Sequence, residues 1–358
     1  MSEQNVVKNA TRNLISKGES TDDDIELAIR CILSVDVPDS TIAAFLTALT
    51  MSGIRANYVR IARNILREES ISFSLTGYAA IDNCGTGGAS IRTFNISTAA
   101  AIIAASADCV VAKHGNKSAS GICGSADFFE QIGFDLNRPT EDIVDSIKRI
   151  GLCFLFAQKF HPKLKRISSI RNQIGFKTIF NILGPLTSPC SNLAGQVIGV
   201  PDSTLIEIMQ SVVSNLDIDN VIMVHSEDGL GELSNTSVSR IVKIKKSNVE
   251  QYRFTPKEIK MPIASLQNIM VSSMEDSVRS TMQVIYGVAP RAKEDIVLLN
   301  SAIALLVGKK VDSIGEGVEV VRHTLRSDAP RIKLRNLIEL CGNPDILSKV
   351  EKKFRLDT

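Results

Sequence analysis

Several familiar signatures are missing from this chain of 358 residues. It has no Cys-x-x-Cys pair, no Gly-Lys-Ser/Thr step, no Gly-x-Gly-x-x-Gly fingerprint and no histidines at helical spacing. These absences argue against a zinc module, a Walker nucleotide site, a dinucleotide fold and a histidine-ligated metal. The net charge is only +2, too small to suggest a nucleic-acid partner. The longest apolar stretch, Ala99–Ala107, is too short to span a bilayer. Met1–Asn5 lacks the apolar core of a secretory leader. The cysteine count of seven is odd and fits no ligand spacing, so a reduced, cytoplasmic compartment is expected. There is no internal repeat and no low-complexity segment.

What remains has the composition of a soluble enzyme, 44% apolar and 22% charged, and is long enough for two domains. Residues 4–70 carry helical periodicity without strand-like alternation. Ser20–Asp24 starts a helix over Ile25–Val35, and further helices are expected over Thr41–Ser52 and Asn57–Glu69. From Tyr78 onward strands and helices alternate. Strands are expected at Tyr78–Ile81, Cys109–Ala112, Leu152–Phe156, Ala194–Val200 and Asn220–His225. Helices are expected at Ala126–Ile132, Glu141–Ile150, Ser203–Asn215, Asp295–Val307 and Ile314–Asp328. Such alternation implies an α/β fold with a mostly parallel central sheet, preceded by a small N-terminal helical domain. Lys243–Lys246 alternates like an edge strand entering a turn. Pro162–Leu183 looks helical and basic, and Gly184–Pro189 reads as a hinge or domain crossing. The domains expected are 1–75, with 162–190 packing on or crossing to it, and 76–161 plus 191–358.

The densest signal is the stretch from Asp82 to Thr98. The turn Gly85-Thr86-Gly87-Gly88 follows an apolar segment and leads into Asn95-Ile96-Ser97-Thr98, which opens the run Ala99–Ala105. Glycines let backbone amides approach a bulky anion, and a helix N-terminus capped by Ser97 or Thr98 favours negative charge. A second apolar strand runs into the cationic loop Lys113-His114-Gly115-Asn116-Lys117-Ser118-Ala119-Ser120-Gly121. Then Gly124-Ser125-Ala126-Asp127 begins another helix, with Asp127 and Glu130 in capping-box spacing. Two such units in succession suggest a ligand with more than one phosphate. Bland readings compete throughout: a structural corner for the turn, a loop hydrogen bond for His114, an ion pair for Arg171 and a simple helix cap for Ser97.

These residues resemble the anthranilate phosphoribosyltransferase family. The likeness continues through Arg171 and Lys177–Leu186, His225–Leu230 and Asp295–Asn300, so it covers nearly the whole chain in order. The resemblance implies transfer of a phosphoribosyl group from phosphoribosyl pyrophosphate (PRPP) to anthranilate, in a cleft between the two domains of a homodimer. It implies that PRPP lies against Gly85, Gly88, Ala89, Thr93, Asn95, Ile96, Ser97, Thr98, Lys113 to Gly121 and Ser125. Gly85, Asn116 and Arg171 would receive anthranilate, and Ser97 and Glu232 would reach Mg²⁺. No general acid or base is implied.

Five positions depart from the family pattern. Ala89-Ser90 replaces Asp-Gly after the glycine turn, and Gly231 replaces the acid before Glu232. Gln158 stands for a proline and Lys117 for an arginine. Losing two acids from a Mg²⁺–pyrophosphate site implies weakened use of a second magnesium. It also leaves open a paralogue that uses another aromatic amine, or a non-catalytic sugar-phosphate binder. A pyrimidine nucleoside phosphorylase is a further alternative, disfavoured by Gly115 in Lys113-His114-Gly115-Asn116 and by the Arg171–Leu186 block.

Overall fold

The computed structural model describes residues 2–34, 36–118, 121–246 and 248–356. Ala119 and Ser120, both expected to contact PRPP, lie outside the described residues, as does the end of the expected Ile25–Val35 helix.

Four helices open the chain: α1 (Glu3–Lys17), α2 (Asp22–Ile32), α3 (Asp39–Met51) and α4 (Ala56–Glu68). Thr21 caps α2 by accepting the Asp24 amide at 3.2 Å, and three aspartates occupy its first turn, complementing the helix dipole. The elements that follow are β1 (Ala80–Asn83), α5 (Ile96–Ser106), β2 (Val110–Gly115), α6 (Ser125–Gln131), α7 (Thr140–Ile150) and β3 (Leu152–Phe156). Next come α8 (Ala157–Phe160), α9 (Leu164–Ile174), β4 (Gly195–Gly199), α10 (Ile206–Val213) and β5 (Val221–Ser226). The hairpin β6 (Ser239–Lys245) and β7 (Asn248–Phe254) precedes the final helices. These are α11 (Met274–Ile285), α12 (Arg291–Val307), α13 (Ile314–Leu325), α14 (Ala329–Cys341) and α15 (Pro344–Phe354).

The seven strands form one sheet in the order β3-β2-β1-β4-β5-β6-β7, parallel from β3 to β5 and antiparallel from β5 to β7. The fold class is therefore α/β with a helical N-terminal bundle and a mostly parallel sheet. The order reverses direction between β1 and β4, the place where open α/β sheets build ligand clefts. Helix α5, apolar on all sides, packs against α12 to form one large core on one face of the sheet. A second apolar cluster joins α1–α4 to Ile167, Ile170, Ile179, Phe180 and Leu186, and to α10 and the other sheet face. No described helix is long and apolar enough to cross a membrane.

Several elements differ from the sequence reading. Strand β2 extends through Lys113, His114 and Gly115, which were expected in a loop. The basic helix over Pro162–Leu183 stops at Ile174, where Gly175 adopts φ +78°, and short 3₁₀ turns replace it at Ile179–Asn181 and Gly184–Leu186. Lys243–Lys245 belongs to β6, which is flanked on both sides; β7 is the edge strand. Helix α10 is preceded by a separate 3₁₀ turn at Ser203–Leu205.

Candidate active site

The glycine turn leaves β1 beside the end of β4, where the Thr86 amide donates to the Gly199 carbonyl at 2.8 Å. Gly85 and Gly87–Ser90 are exposed, so their amides face solvent rather than the core. Gly88 has φ +79°, and a Cβ there would sit 2.8 Å from the Lys177 side chain. Lys177, in the segment after α9, donates to the Gly88 carbonyl at 2.9 Å. Beside it a cavity of about 300 Å³ is lined by Ile54, Lys177, Asn181, Asp202 and Leu205, among others. Lys177 opens the Lys177–Leu186 likeness but the sequence gives it no role of its own; its reach to Gly88 spans 89 positions and has no local signature.

Helix α5 begins two residues earlier than a Ser97 cap requires and three earlier than a Thr98 cap. Asn95 is the N-cap position, without a side-chain cap, and Ser97 and Thr98 lie in the first turn. The reason is tertiary. The Asn95 side chain is held by the Cys123 carbonyl (3.1 Å) and the Ser277 hydroxyl (2.9 Å), which leaves it unable to fold back on the helix. Asn83 donates to the Ser97 carbonyl at 2.7 Å, tying this turn to the end of β1. The Thr98 hydroxyl is buried without a protein partner. Thr93 bridges to Met270, which fixes the segment ahead of α5.

Strand alternation points Lys113 and His114 to opposite faces of the sheet. The Lys113 ammonium is 2% exposed and donates to the Asn83 carbonyl (3.0 Å) and Asn83 Oδ1 (3.2 Å). Burial lowers its pKa, while Cys84, Asp82 and Glu232 act in the opposite sense. Glu232 is half-buried; burial raises its pKa and the Lys113 charge opposes that. On the other face the His114 ring Nδ1 lies 3.1 Å from the Gly184 carbonyl, and its main-chain amide donates to Asp82 Oδ1 at 3.0 Å. Burial pushes the His114 pKa down to about 3, with neighbouring His161 adding to the effect, so the ring is neutral. The loop hydrogen bond considered for His114 is thus present.

Beyond β2, Asn116 Oδ1 accepts the Lys117 amide at 2.8 Å, and the Ser125 hydroxyl reaches the Asn116 carbonyl at 3.5 Å. Lys117 pairs with Glu130 at 2.8 Å. Asp127, not paired with Glu130, accepts the amides of Gly124 (2.8 Å) and Ser118 (2.9 Å), so Gly124 is the N-cap of α6 and Asp127, in its first turn, completes the capping box. Gly121 packs against Ser118. These contacts shape the second loop from within.

Arg171 sits in the last turn of α9. Its Nε is buried with no hydrogen-bond partner, and burial lowers its pKa. No hydrogen bond in the described structure joins it to Asn116 or to the glycine turn. A buried guanidinium N–H without a partner is costly unless an acceptor completes it, and the half-exposed remainder of the group leaves room for an anion to do so.

The donor set suits one magnesium ion carried largely by a ligand's own phosphates. Glu232 is a single carboxylate and Ser97 a single hydroxyl, whereas Ala89 and Gly231 offer no side-chain oxygen. Asp228 already accepts from Ser234, Thr236 and the Leu230 amide, which hold its carboxylate within its own loop.

Two loops on adjacent parallel strands, with a helix N-terminus between them, define a class of protein built to hold phosphorylated ligands at the end of its sheet. Residues 77–329 match the glycosyl transferase family a/b domain, and residues 8–70 match that family's helical bundle domain. A curated relative, the anthranilate phosphoribosyltransferase of Alkaliphilus metalliredigens, is 32% identical over 94% of this chain and 98% of its own length. The solved anthranilate phosphoribosyltransferase of Thermus thermophilus superposes with TM-score 0.83 at 30% identity, covering 93% of this chain and 99% of that one. The Saccharomyces cerevisiae enzyme in complex with PRPP and Mg shares the fold, with TM-score 0.84 at 21% identity, over 94% of this chain and 98% of that one. The chain belongs to the anthranilate phosphoribosyltransferase family of glycosyl transferases.

Proposed function

We propose that the chain transfers the phosphoribosyl group of PRPP to the amine of anthranilate, giving N-(5-phosphoribosyl)anthranilate and pyrophosphate, a step of tryptophan biosynthesis. One observation carries the reading: over almost its full length the chain shares sequence with enzymes of that name. The glycine turn at the strand-order reversal gives this likeness a physical basis. A binder without catalysis and a nucleoside phosphorylase have no comparable support.

In this reading PRPP lies along Gly85, Gly88, Ala89, Thr93 and Asn95–Thr98, continuing to Lys113–Gly121 and Ser125. As the C1–oxygen bond breaks, the ribose becomes positive and the departing pyrophosphate gathers negative charge. Main-chain amides of the turn, the α5 N-terminus and the Lys113 ammonium stabilise that charge. Glu232 and Ser97, together with the substrate's phosphates, would hold Mg²⁺, which would supply further neutralisation of the leaving group. Arg171 holds the anthranilate carboxylate, with Asn116 and Gly85 near the ring, so the amine is aimed at C1. An aromatic amine is a weak nucleophile, which makes positioning the main contribution of these residues.

The proposal extends to domains 1–75 (with 162–190 attached) and 76–161 plus 191–358. It is supported by the apolar cluster linking α1–α4 to the 167–186 segment. It extends further to a cytoplasmic homodimer, in keeping with seven unpaired cysteines. The decisive experiment mixes the purified protein with PRPP, Mg²⁺ and anthranilate and follows loss of anthranilate fluorescence. Retained fluorescence alongside measurable PRPP binding would overturn the catalytic reading.

A further inference from the structure

Beneath the phosphate loops lie Asp82 and Cys84, which have no part in the mechanism above, next to His114 of the proposed PRPP run. Among the described residues, Asp82, Cys84 and His114 form the one group of three metal-capable side chains whose ligand atoms all lie within 4.8 Å of one another. We infer that they form a site for a thiophilic divalent cation such as Zn²⁺, at the root of the two phosphate loops.

The register explains why they meet. Parallel pairing of β1 with β2 sets Ala80 opposite Val110, so Asp82 and Cys84 share a face with His114. The imidazole is prepared for such a role. With Nδ1–H donating to the Gly184 carbonyl at 3.1 Å, the lone pair resides on Nε2. That nitrogen is buried and has no partner, while the ring as a whole is 2% exposed. A ligating histidine usually donates its other ring N–H to a carbonyl or carboxylate in this way. Asp82 is fully buried. Its Oδ1 accepts the His114 amide and its Oδ2 accepts Gln196 Nε2 at 3.3 Å, each oxygen keeping a second lone pair. Cys84 is half-buried, giving an approach from solvent.

The chemistry selects the cation. Thiolate, imidazole and carboxylate suit Zn²⁺ and disfavour Mg²⁺, which demands oxygen ligands. Binding breaks the Cys84 S–H bond, forms a metal–sulfur bond and releases the proton to solvent. Asp82 and the thiolate then balance the ion's two charges, and the nearby Lys113 ammonium, which interacts with both, favours their charged forms. Zinc–ligand bonds of about 2.0–2.3 Å require the ligand atoms to close by roughly 1 Å. Cys84 lies just past the end of β1, so it is the ligand able to move. Drawing it inward pulls on Gly85–Gly88, and the cation therefore acts as an inhibitor. Metal binding stands independently of the proposed reaction; the inhibition rests on it.

The test titrates the full-length, metal-free protein with Co²⁺ as a spectroscopic stand-in, then with Zn²⁺. One equivalent of Co²⁺ should give tetrahedral ligand-field bands with a near-ultraviolet thiolate charge-transfer band, both displaced by one equivalent of Zn²⁺. Cys84→Ser should lose the charge-transfer band and bind at least tenfold more weakly, while keeping Mg²⁺-supported turnover. Should that variant fail to fold, zinc-edge absorption of the wild type should report one sulfur and two lighter protein ligands. No charge-transfer band, a band that survives Cys84→Ser, or a shell without sulfur would overturn the site. Zn²⁺ inhibition at saturating Mg²⁺ should appear in the wild type and vanish in Cys84→Ser. Stoichiometric binding without inhibition would overturn the coupling alone.

Discussion

Gly199 and Gly231 pack backbone against backbone where β4 meets the loop after β5. A Cβ on Gly199 would lie 2.5 Å from the Gly231 carbonyl oxygen, and one on Gly231 would lie 3.1 Å from the Gly199 carbonyl carbon. The family likeness leads one to expect an acid at Gly231, and the close approach to Gly199 shows how little room a side chain has there. Gly231→Asp should restore a metal ligand and crowd Pro201 and Val200, which lie 3.1 and 3.2 Å from the added Cβ. We predict saturation of turnover at lower Mg²⁺ than in the wild type, with a stability loss of about 1–3 kcal/mol from overpacking. Gly231→Ala separates the two effects, since it crowds without ligating. Coincident magnesium titrations for the wild type and Gly231→Asp would remove the link between this glycine and metal use.

Arg171 presents the second test. Its buried Nε lacks a protein partner, so removing the side chain breaks no internal hydrogen bond in the described structure. Arg171→Ala should leave stability unchanged or slightly raised. The KM for anthranilate should rise roughly ten- to hundredfold, matching the ~1.5–3 kcal/mol of a hydrogen bond to a charged group. The KM for PRPP should stay within about threefold, well under the 1.4 kcal/mol that corresponds to a factor of ten. Equal damage to both constants would place the carboxylate elsewhere.

Lys177 links the segment after α9 to the glycine turn through its 2.9 Å bond to the Gly88 carbonyl. The side chain is exposed, so Lys177→Met should change stability by less than about 0.5 kcal/mol. If the bond helps hold the turn in its anion-binding shape, the KM for PRPP should rise severalfold while kcat changes little. Gly88→Ala should be worse, because φ +79° disfavours a side chain and the Cβ would strike Lys177. Unaltered PRPP kinetics in Lys177→Met would show that the turn holds its shape unaided.

Much of this architecture was legible because apolar periodicity and breakers report directly on strands and helices. The Asp22-Asp23-Asp24 start, the buried run of α5 and the alternation from Tyr78 onward all read correctly as element types. The failures share one cause. Lys113, His114 and Gly115 look like a polar loop, yet they complete β2 because Asn83, Asp82 and Gly184 satisfy them from far along the chain. Ser97 and Thr98 look like caps, yet Ser277, Cys123 and Asn83 settle where α5 begins. Tertiary hydrogen bonds leave no periodic trace, so the partners Asp82, Lys177 and Gln196 gave no signal of a role.

Gln196 offers the sharpest test of how the hinge is fastened. It stands beside Asp82 in the β1–β4 ladder, and its Nε2 donates both to the Pro185 carbonyl (2.6 Å) and to Asp82 Oδ2 (3.3 Å). One buried amide therefore ties the hinge to the strand that carries the glycine turn. Gln196→Leu keeps similar bulk but leaves both acceptors without that donor, at a cost of about 1–3 kcal/mol per unsatisfied group. Denaturant unfolding should register that loss. Amide exchange should quicken across 184–187 before it quickens in α5 or α12, because the core around those helices does not depend on this residue. A uniform acceleration across the sheet would mean that Gln196 supports the core as a whole rather than fastening the hinge.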